Sequence, residues 1–520
     1  MGFIGKFLIT APPLLDCIHA HKRASTTRKF FFTTVQHTSY VNKRHEDTHV
    51  NIEPSIKGSS DARSQKKEET EGVKTLLGDP KKAIITLAWP MIAAMSMQTI
   101  YNLVDAVWVS GLGADALAAI GFVFPFFFMA MALSNGLGIG AGSALARRLG
   151  ARDKAGADNV AVHTICIMVL TVVVFTVPLF VFTEELFALI GAGKTLGMAV
   201  AYGRIIFAGS IFIFFTNIAN AILRGEGDAK RAMYAMALGA GLNIVLDPIF
   251  IYTFGLGVAG AAWATIFSLG VTSVIMLNWL LFKKDTYVSF DFRDFRCDRK
   301  IIKDIFGVGL PAAAMQLSMS FTMLILNVII VMVGGTDGVA IYSTGWRVAS
   351  IAVLPTIGIA TAVVPVSGAA FGARSFEKVS IAHLYAIKIG FLMETAIAVA
   401  TFILAPQIAA VFTQVEAAAH IAPDLTLFLR IICLFYPAIS FGMLSSSVFQ
   451  GTGKGMYALL VTILRTIILT PLLAVVFAFY LEWGLVGVWW GLVAANITGT
   501  TVAFAWARLY IRGLMKMTID

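Results

Sequence analysis

The sequence predicts an all-α, polytopic membrane protein with about twelve transmembrane helices in two six-helix bundles related by an internal repeat. Three observations carry this expectation. Of the 520 residues, 58% are hydrophobic and 13% charged, with a mean hydropathy of +0.80, whereas soluble domains carry about 25% charged residues. Apolar windows of about 20 residues recur along most of the chain, separated by short polar breaks, which is the pattern of helices and not of barrel strands. The second half of the chain also repeats landmarks of the first. Composition alone therefore excludes a soluble enzyme.

Taken in order, residues 1–78 are rich in Ser, Thr, Lys, Arg and His and hold five of the eight histidines, His19, His21, His37, His45 and His49. They read as a disordered cytoplasmic tail. Lys6 and Pro12-Pro13 interrupt its apolar start, which argues against a signal peptide, and the histidines show no regular ligand spacing. Spans follow at roughly 83–109, 116–146, 158–182, 198–222, 230–252 and 258–282, forming an N-lobe of residues 79–282. A charged cytoplasmic linker, 283–303, leads to a C-lobe of residues 304–520, with spans at roughly 304–333, 338–370, 381–412, 421–449, 456–480 and 486–511.

The net charge of +10 would suit nucleic acid, but its placement points to topology. Basic residues fall in alternate loops: Arg147 to Lys154, Arg224 to Arg231, Lys283 to Lys303, Arg374 with Lys378, and Lys454. The positive-inside rule then puts both termini in the cytoplasm, which requires an even number of spans. Cys17, Cys166, Cys297 and Cys433 are scattered without CxxC spacing, so neither a disulfide framework nor a zinc site is expected.

The repeat pairs Pro90 with Pro311, Gly150-Ala151-Arg152 with Gly372-Ala373-Arg374, and Gly225-Glu226-Gly227 with Gly451-Thr452-Gly453. It continues through Leu246-Asp247-Pro248 with Leu469-Thr470-Pro471, and Gly257 to Gly260 with Gly484 to Gly487. Six spans per half make it a parallel repeat about an axis along the membrane normal, an arrangement that places a substrate cavity between two bundles. Asn243 and Asp247 align with Thr466 and Thr470, so these polar groups belong to the first half alone.

That asymmetry singles out the functional candidates. A charged side chain at the bilayer centre costs about 2.5–3.5 kcal/mol on insertion scales, so Asp105 and Asp247 call for a role as ion or substrate ligands. Asn243 and Asp247 are spaced i, i+4 on one helical face, and Gln98, Asn102 and Asp105 fall at i, i+4, i+7 as a polar stripe in the first span. Tyr202, Asn217 and Asn220 in the fourth span and Thr265 in the sixth are placed to converge on the same polar pocket. Buried amides and threonines also serve as interhelical bonds worth about 0.6 kcal/mol each, a reading that fits each amide alone but not the two acids. Arg204, Arg347, Lys388, Arg430 and Arg465 lie near expected span ends and are read as snorkelling, while Glu394 lies deeper in the ninth span and stays a further candidate. Pro248, directly after Asp247, is a candidate gating kink. Gly193-Lys194-Thr195 imitates a phosphate loop, but Ala188 occupies the first required glycine position and no strand precedes it.

The run Leu223-Arg224-Gly225-Glu226-Gly227-Asp228, the segments Leu242 to Pro248 and Gly257 to Thr265, and Tyr101-Asn102-Leu103-Val104-Asp105 resemble the multidrug and toxic compound extrusion (MATE) family over about residues 80–512. The pattern is most similar to the DinF-like branch, whose site acids and amides match Asp105, Asn243, Asp247 and Thr265. Gln98, Tyr202, Asn217 and Asn220 fall where that branch has further polar residues lining the lobe. The NorM-like branch also has acids in spans seven and ten. Here span seven has none, and Asp424 sits only at the mouth of span ten.

The resemblance implies two bundles around a central cavity and a cation-coupled antiporter. In it Asp105, Asn243, Asp247 and Thr265 hold H⁺ or Na⁺, and Gln98, Asn102, Tyr202, Asn217 and Asn220 border the substrate. No cofactor beyond the coupling ion is expected, and the substrates are small organic cations or amphipathic compounds such as drugs. The chain is expected to act as a monomer in the plasma membrane, in contact with lipid and without nucleic acid. Two alternatives stay open: a lipid-linked oligosaccharide flippase of related scaffold, and an intramembrane lipid-modifying enzyme.

Overall fold

A computed structural model describes residues 70–282, 286–290, 297–414 and 416–517. The histidine-rich segment, Cys17 and the basic residues Lys283, Lys284, Arg293 and Arg296 lie outside the described residues. The described chain is helical throughout, and eleven helices are long and apolar enough to cross a membrane, or twelve if one bent pair is a single span.

A short helix, α1 (Glu71–Leu77), precedes the first span, α2 (Pro80–Ser110). The second and third spans are α3 (Ala114–Gly150) and α4 (Lys154–Val181), followed by the short α5 (Thr183–Leu189). The bent pair, α6 (Leu196–Ala208) and α7 (Ser210–Gly225), breaks by 44° at Gly209. The fifth span is α8 (Ala229–Pro248) continued by a π-helix (Ile249–Thr253), and the sixth is α9 (Gly257–Leu281). The second half opens with α10 (Arg299–Ala352), divided at Gly335, whose φ of 58° and ψ of −149° are non-helical. Next come α11 (Leu354–Gly372) and α12 (Phe376–Phe412), then the two-part span α13 (Ala422–Ile432) and α14 (Tyr436–Gly451). The eleventh span is α15 (Gly455–Ile463), a π-helix (Leu464–Leu469), α16 (Thr470–Val475) and a second π-helix (Val476–Tyr480); α17 (Gly484–Lys516) is the last.

Leu103, Val174, Leu324 and Met332 are among many large apolar side chains that stand exposed. Apolar surface on that scale is stable in hydrocarbon and not in water.

The repeat is written into the backbone as well as the sequence. Positive φ recurs at matching points, Gly113 with Gly335, Arg152 with Arg374, Gly227 with Gly453, Gly255 with Glu482 and Gly257 with Gly484. Arg152, Arg374 and Glu482 take this conformation without being glycine. A π-helix begins directly after Pro248 in span five, and two flank the Thr470-Pro471 turn of span eleven. Proline has no N–H to donate and its ring crowds the carbonyl one turn back, so a local change of helical register accommodates both.

The two halves touch where glycine lets backbones approach. A Cβ on Gly150 would sit 1.9 Å from the Ala369 carbonyl, and one on Gly372 1.9 Å from that of Arg147, a reciprocal pair between the matching Gly-Ala-Arg turns. Gly140 faces Ile305 and Gly309, Gly136 faces Ala313, and Gly358 faces Ile92 in the same manner. The Gly150 and Gly372 approaches lie at the span ends that carry the basic residues Arg147 to Lys154 and Arg374 with Lys378. Arg147 bonds there to Ser143 and to the Gly451 carbonyl of the other half.

Two expected boundaries are corrected. The tail does not run to residue 78, because Thr70 caps α1 by accepting from the Val73 N–H, and Val73 and Leu76 are buried. Gly72 packs against the Glu226–Gly227 backbone, while Lys378 of the other half donates to the Leu77 and Gly78 carbonyls at 2.9 Å each. Helix α1 is thus a strap across both halves. The linker is also shorter than 283–303, since Asp298 caps a helix that begins at Arg299. His163 donates from Nδ1 to the Asn159 carbonyl and accepts at Nε2 from the Asp298 N–H, which anchors that cap.

Candidate functional site

Four elements of the first half meet around the two aspartates. Helix α2 supplies Tyr101 and Asp105, spaced i, i+4 on one face; α8 supplies Asn243 and Asp247 with the same spacing; α6 brings Tyr202 and α9 brings Thr265. Asp247 is 0% exposed, Asn243 2% and Thr265 9%. With its amide turned so that nitrogen faces the carboxyl, Asn243 donates to Asp247 Oδ2 at 3.0 Å and accepts from the Thr265 N–H at 3.1 Å. Thr265 in turn donates its hydroxyl to the Ala261 carbonyl. Asp105 and Asp247 are neighbours, each in the field of the other. Tyr101 and Tyr202 both lie in the field of the two acids, and Tyr101 neighbours Thr265.

Two neighbouring carboxylates, Asp247 fully buried and Asp105 half-buried, strongly disfavour joint ionisation without a compensating cation. The cluster therefore needs a proton or a bound cation. Its oxygens are those of carboxyl, hydroxyl and phenol groups, a set suited to a proton or a small hard cation. No group of three or more His, Cys, Asp or Glu side chains that would hold a transition metal occurs among the described residues. Asp247 Oδ1 has no protein partner, leaving one buried oxygen free to bind whatever enters.

Not every expected residue joins. Gln98 and Asn102 do not extend the stripe to Asp105; Gln98 Nε2 donates to Asn102 Oδ1 at 3.4 Å and Asn102 is exposed. Asn217 donates to the Ile213 carbonyl and toward Met131 Sδ, and Asn220 to the Thr216 carbonyl, so neither bonds to the acids. Both amides donate back to their own helix, and Asn217 also reaches Met131 on α3. Tyr101 was not singled out by charge, although its i, i+4 relation to Asp105 was legible. Pro248 stands at the junction of α8 with the π-helix, one residue beyond the acid.

A cavity of about 240 Å³ lies between the halves, lined by residues that include Arg224, Met315, Gln316, Gln450 and Arg465. The acids are not on its wall, and its charged lining residues are the two arginines. Arg465 was expected to snorkel from a span end. Instead it sits in the π-helix inside span eleven, with Nη1 donating to Asn496 Oδ1 at 3.3 Å.

Comparison with known proteins agrees with this arrangement. The MatE family model matches residues 90–249 and 311–476, one block in each half. The multidrug export protein MepA of Staphylococcus aureus (strain MRSA252) is 27% identical over 417 residues, covering 80% of this chain and 90% of that protein. A solved structure of a multidrug resistance MATE family transporter of the MOP superfamily, in an outward-facing conformation, superposes with a TM-score of 0.84 at 48% identity, covering 86% of this chain and 100% of that one. A MOP superfamily transporter from Pyrococcus furiosus Vc1 (DSM3638), for which reverse polarity of the binding pocket is said to suggest a different function, gives 0.83 at 48% identity, covering 86% and 99%.

Proposed function

This chain belongs to the MatE family of membrane transporters, and on that premise we propose that it is an antiporter which exports cationic or amphipathic organic compounds in exchange for H⁺ or Na⁺. It is a multi-pass membrane transporter and not an enzyme. The observation that carries the coupling is the half-buried Asp105 beside the fully buried Asp247, a pair that must be neutralised by one cation or proton whenever the first half closes around it. In this reading Asp247 and Asp105 take the ion, Asn243 and Thr265 orient Asp247, and Tyr101 and Tyr202 complete the oxygen shell. Ion binding removes the repulsion between α2 and α8, which favours one packing of the first half over another.

The first six spans act as one lobe, the last six as the other, and the cavity between them holds substrate. Placing the basic loops in the cytoplasm, with both termini, makes the closed end cytoplasmic and the conformation outward-facing. The site resembles the DinF-like pattern, and we place the protein in the plasma membrane as a monomer. Uptake of a fluorescent organic cation into vesicles, under separately imposed Na⁺ and pH gradients, tests the reading. One of the two gradients drives uptake if it holds, and neither does if it fails.

The arginine-lined cavity favours a second reading, in which the substrate carries an anionic group beside its apolar body. Competition of an anionic amphiphile against the cation, with and without Arg465→Ala, separates the two. Loss of the anion's effect in the variant would support it.

A further inference from the structure

The other half also buries an acid. Glu394, on α12, is 0% exposed. Its Oε1 accepts the Thr356 hydroxyl at 2.7 Å, and its Oε2 has no partner. Thr356 Oγ1 lies 3.4 Å from Ser440 Oγ on α14. One turn before Ser440 stands Tyr436, fully buried, its hydroxyl likewise without a partner. Helices α11, α12 and α14 thus enclose one carboxyl among hydroxyls.

The titratable and charged groups on the elements around α12 include Tyr436 on α14, Cys433 in the turn before it, Asp424 and Arg430 on α13, the latter stacked on Phe402, Lys81, Lys82, Tyr101 and Asp105 on α2, Lys81 standing over Tyr385, and Tyr510, Arg512 and Arg508 on α17, Arg508 bonding to Ser380 near His383. Among the described residues none forms an ion pair with Glu394. An ionised carboxylate without a counter-charge is costly in hydrocarbon, whereas a protonated one accepts from Thr356 and has a proton on the open oxygen.

The position of Thr356 gives this carboxyl mechanical reach. It lies in the first turn of α11, just after the break at Val353 and next to Pro355. Gly358, two residues on, is where α11 presses against the Ile92 backbone of α2, a Cβ there coming within 3.0 Å of the Ile92 nitrogen. A change of charge at Glu394 therefore acts on a turn that packs directly against the other half.

We propose that Glu394 is a second proton-binding site, in the half that lacks the aspartate pair, and that its protonation state sets the packing of α11 against α2. The proton comes from water and returns to it; only an O–H bond at the carboxyl forms and breaks. This rests on reading the protein as an ion-coupled transporter, but its test does not depend on transport.

The test is infrared difference spectroscopy of the full chain in liposomes during a pH step. A carbonyl band of a buried carboxylic acid is expected to disappear as pH rises, to be absent in Glu394→Gln and to persist in Asp247→Asn. Spin labels on α11 and α2 flanking Gly358 and Ile92 should change separation with the same midpoint. Thr356→Val keeps the carboxyl but removes a donor to its ionised form, so the midpoint should move to higher pH; this variant serves even where Glu394→Gln does not fold. A carboxyl that stays protonated across the pH range of transport, or a midpoint untouched by Thr356→Val, overturns the proposal.

Discussion

At the residue scale the account turns on which oxygens surround Asp247. The Tyr101 phenol lies beside Thr265 in the field of both acids, and one net hydrogen bond from it to the ion's shell is worth about 0.5–1.5 kcal/mol. Tyr101→Phe should therefore weaken coupling-ion affinity by about two- to tenfold and leave the fold intact, as measured by ion-dependent fluorescence or calorimetry. A change as large as that of an aspartate substitution would mean that the phenol is a principal ligand. Asp105, Asn243, Asp247 and Thr265 were legible because charge in an apolar run is costly and helical spacing fixes the face. Gln98 and Asn102 share that periodicity, yet they satisfy each other, and spacing cannot tell a pair from a site. Arg465 was misread for a different reason. Its place depends on a π-helix that changes the register around it, and nothing in composition announces such a shift.

At the element scale the spans could be read to within a few residues, and the repeat foretold matching turns. What the sequence did not yield was the join between halves, because glycine is common in membrane helices and its partner is remote in the chain. Gly372→Ala places a methyl carbon where only 1.9 Å separates it from the Arg147 carbonyl, which is backbone that cannot step aside. The expected result is a loss of about 1–3 kcal/mol from the closed end, the cost of overpacking, read as a shift toward open distances between spin labels on α3 and α11. An unchanged distance distribution would show that the end is not held by this approach. The strap α1 belongs to the same scale. Lys378→Ala frees the Leu77 and Gly78 carbonyls, and hydrogen exchange in residues 71–77 should then rise, because one of its two anchors is gone.

At the scale of the whole molecule, the linker is fastened to the first half through two carboxyls. Glu226 accepts from the Tyr287 N–H at 3.1 Å and the Val288 N–H at 2.9 Å, and Ser289 N–H bonds to Asp158. Burial pushes Glu226 up from its ordinary value to about 7, opposed by those two backbone donors and by Lys154 and assisted by Asp228. A raised carboxyl favours the protonated form in the docked state. Docking is thus fully supported below the ordinary glutamate range and is weakened as pH rises through about 7. Protection of the amides at 287–289 should fall over that window, and Glu226→Gln should make it independent of pH. Protection that instead grew with pH would reverse the sign of this argument.

The central claim is that Asp247, paired with Asp105, holds the coupling ion. Purified Asp247→Asn in liposomes, assayed for substrate binding and for gradient-driven transport in the same preparation, addresses it most directly. The account predicts that substrate still binds while gradient-driven transport is lost; full gradient-driven transport by the variant would contradict it.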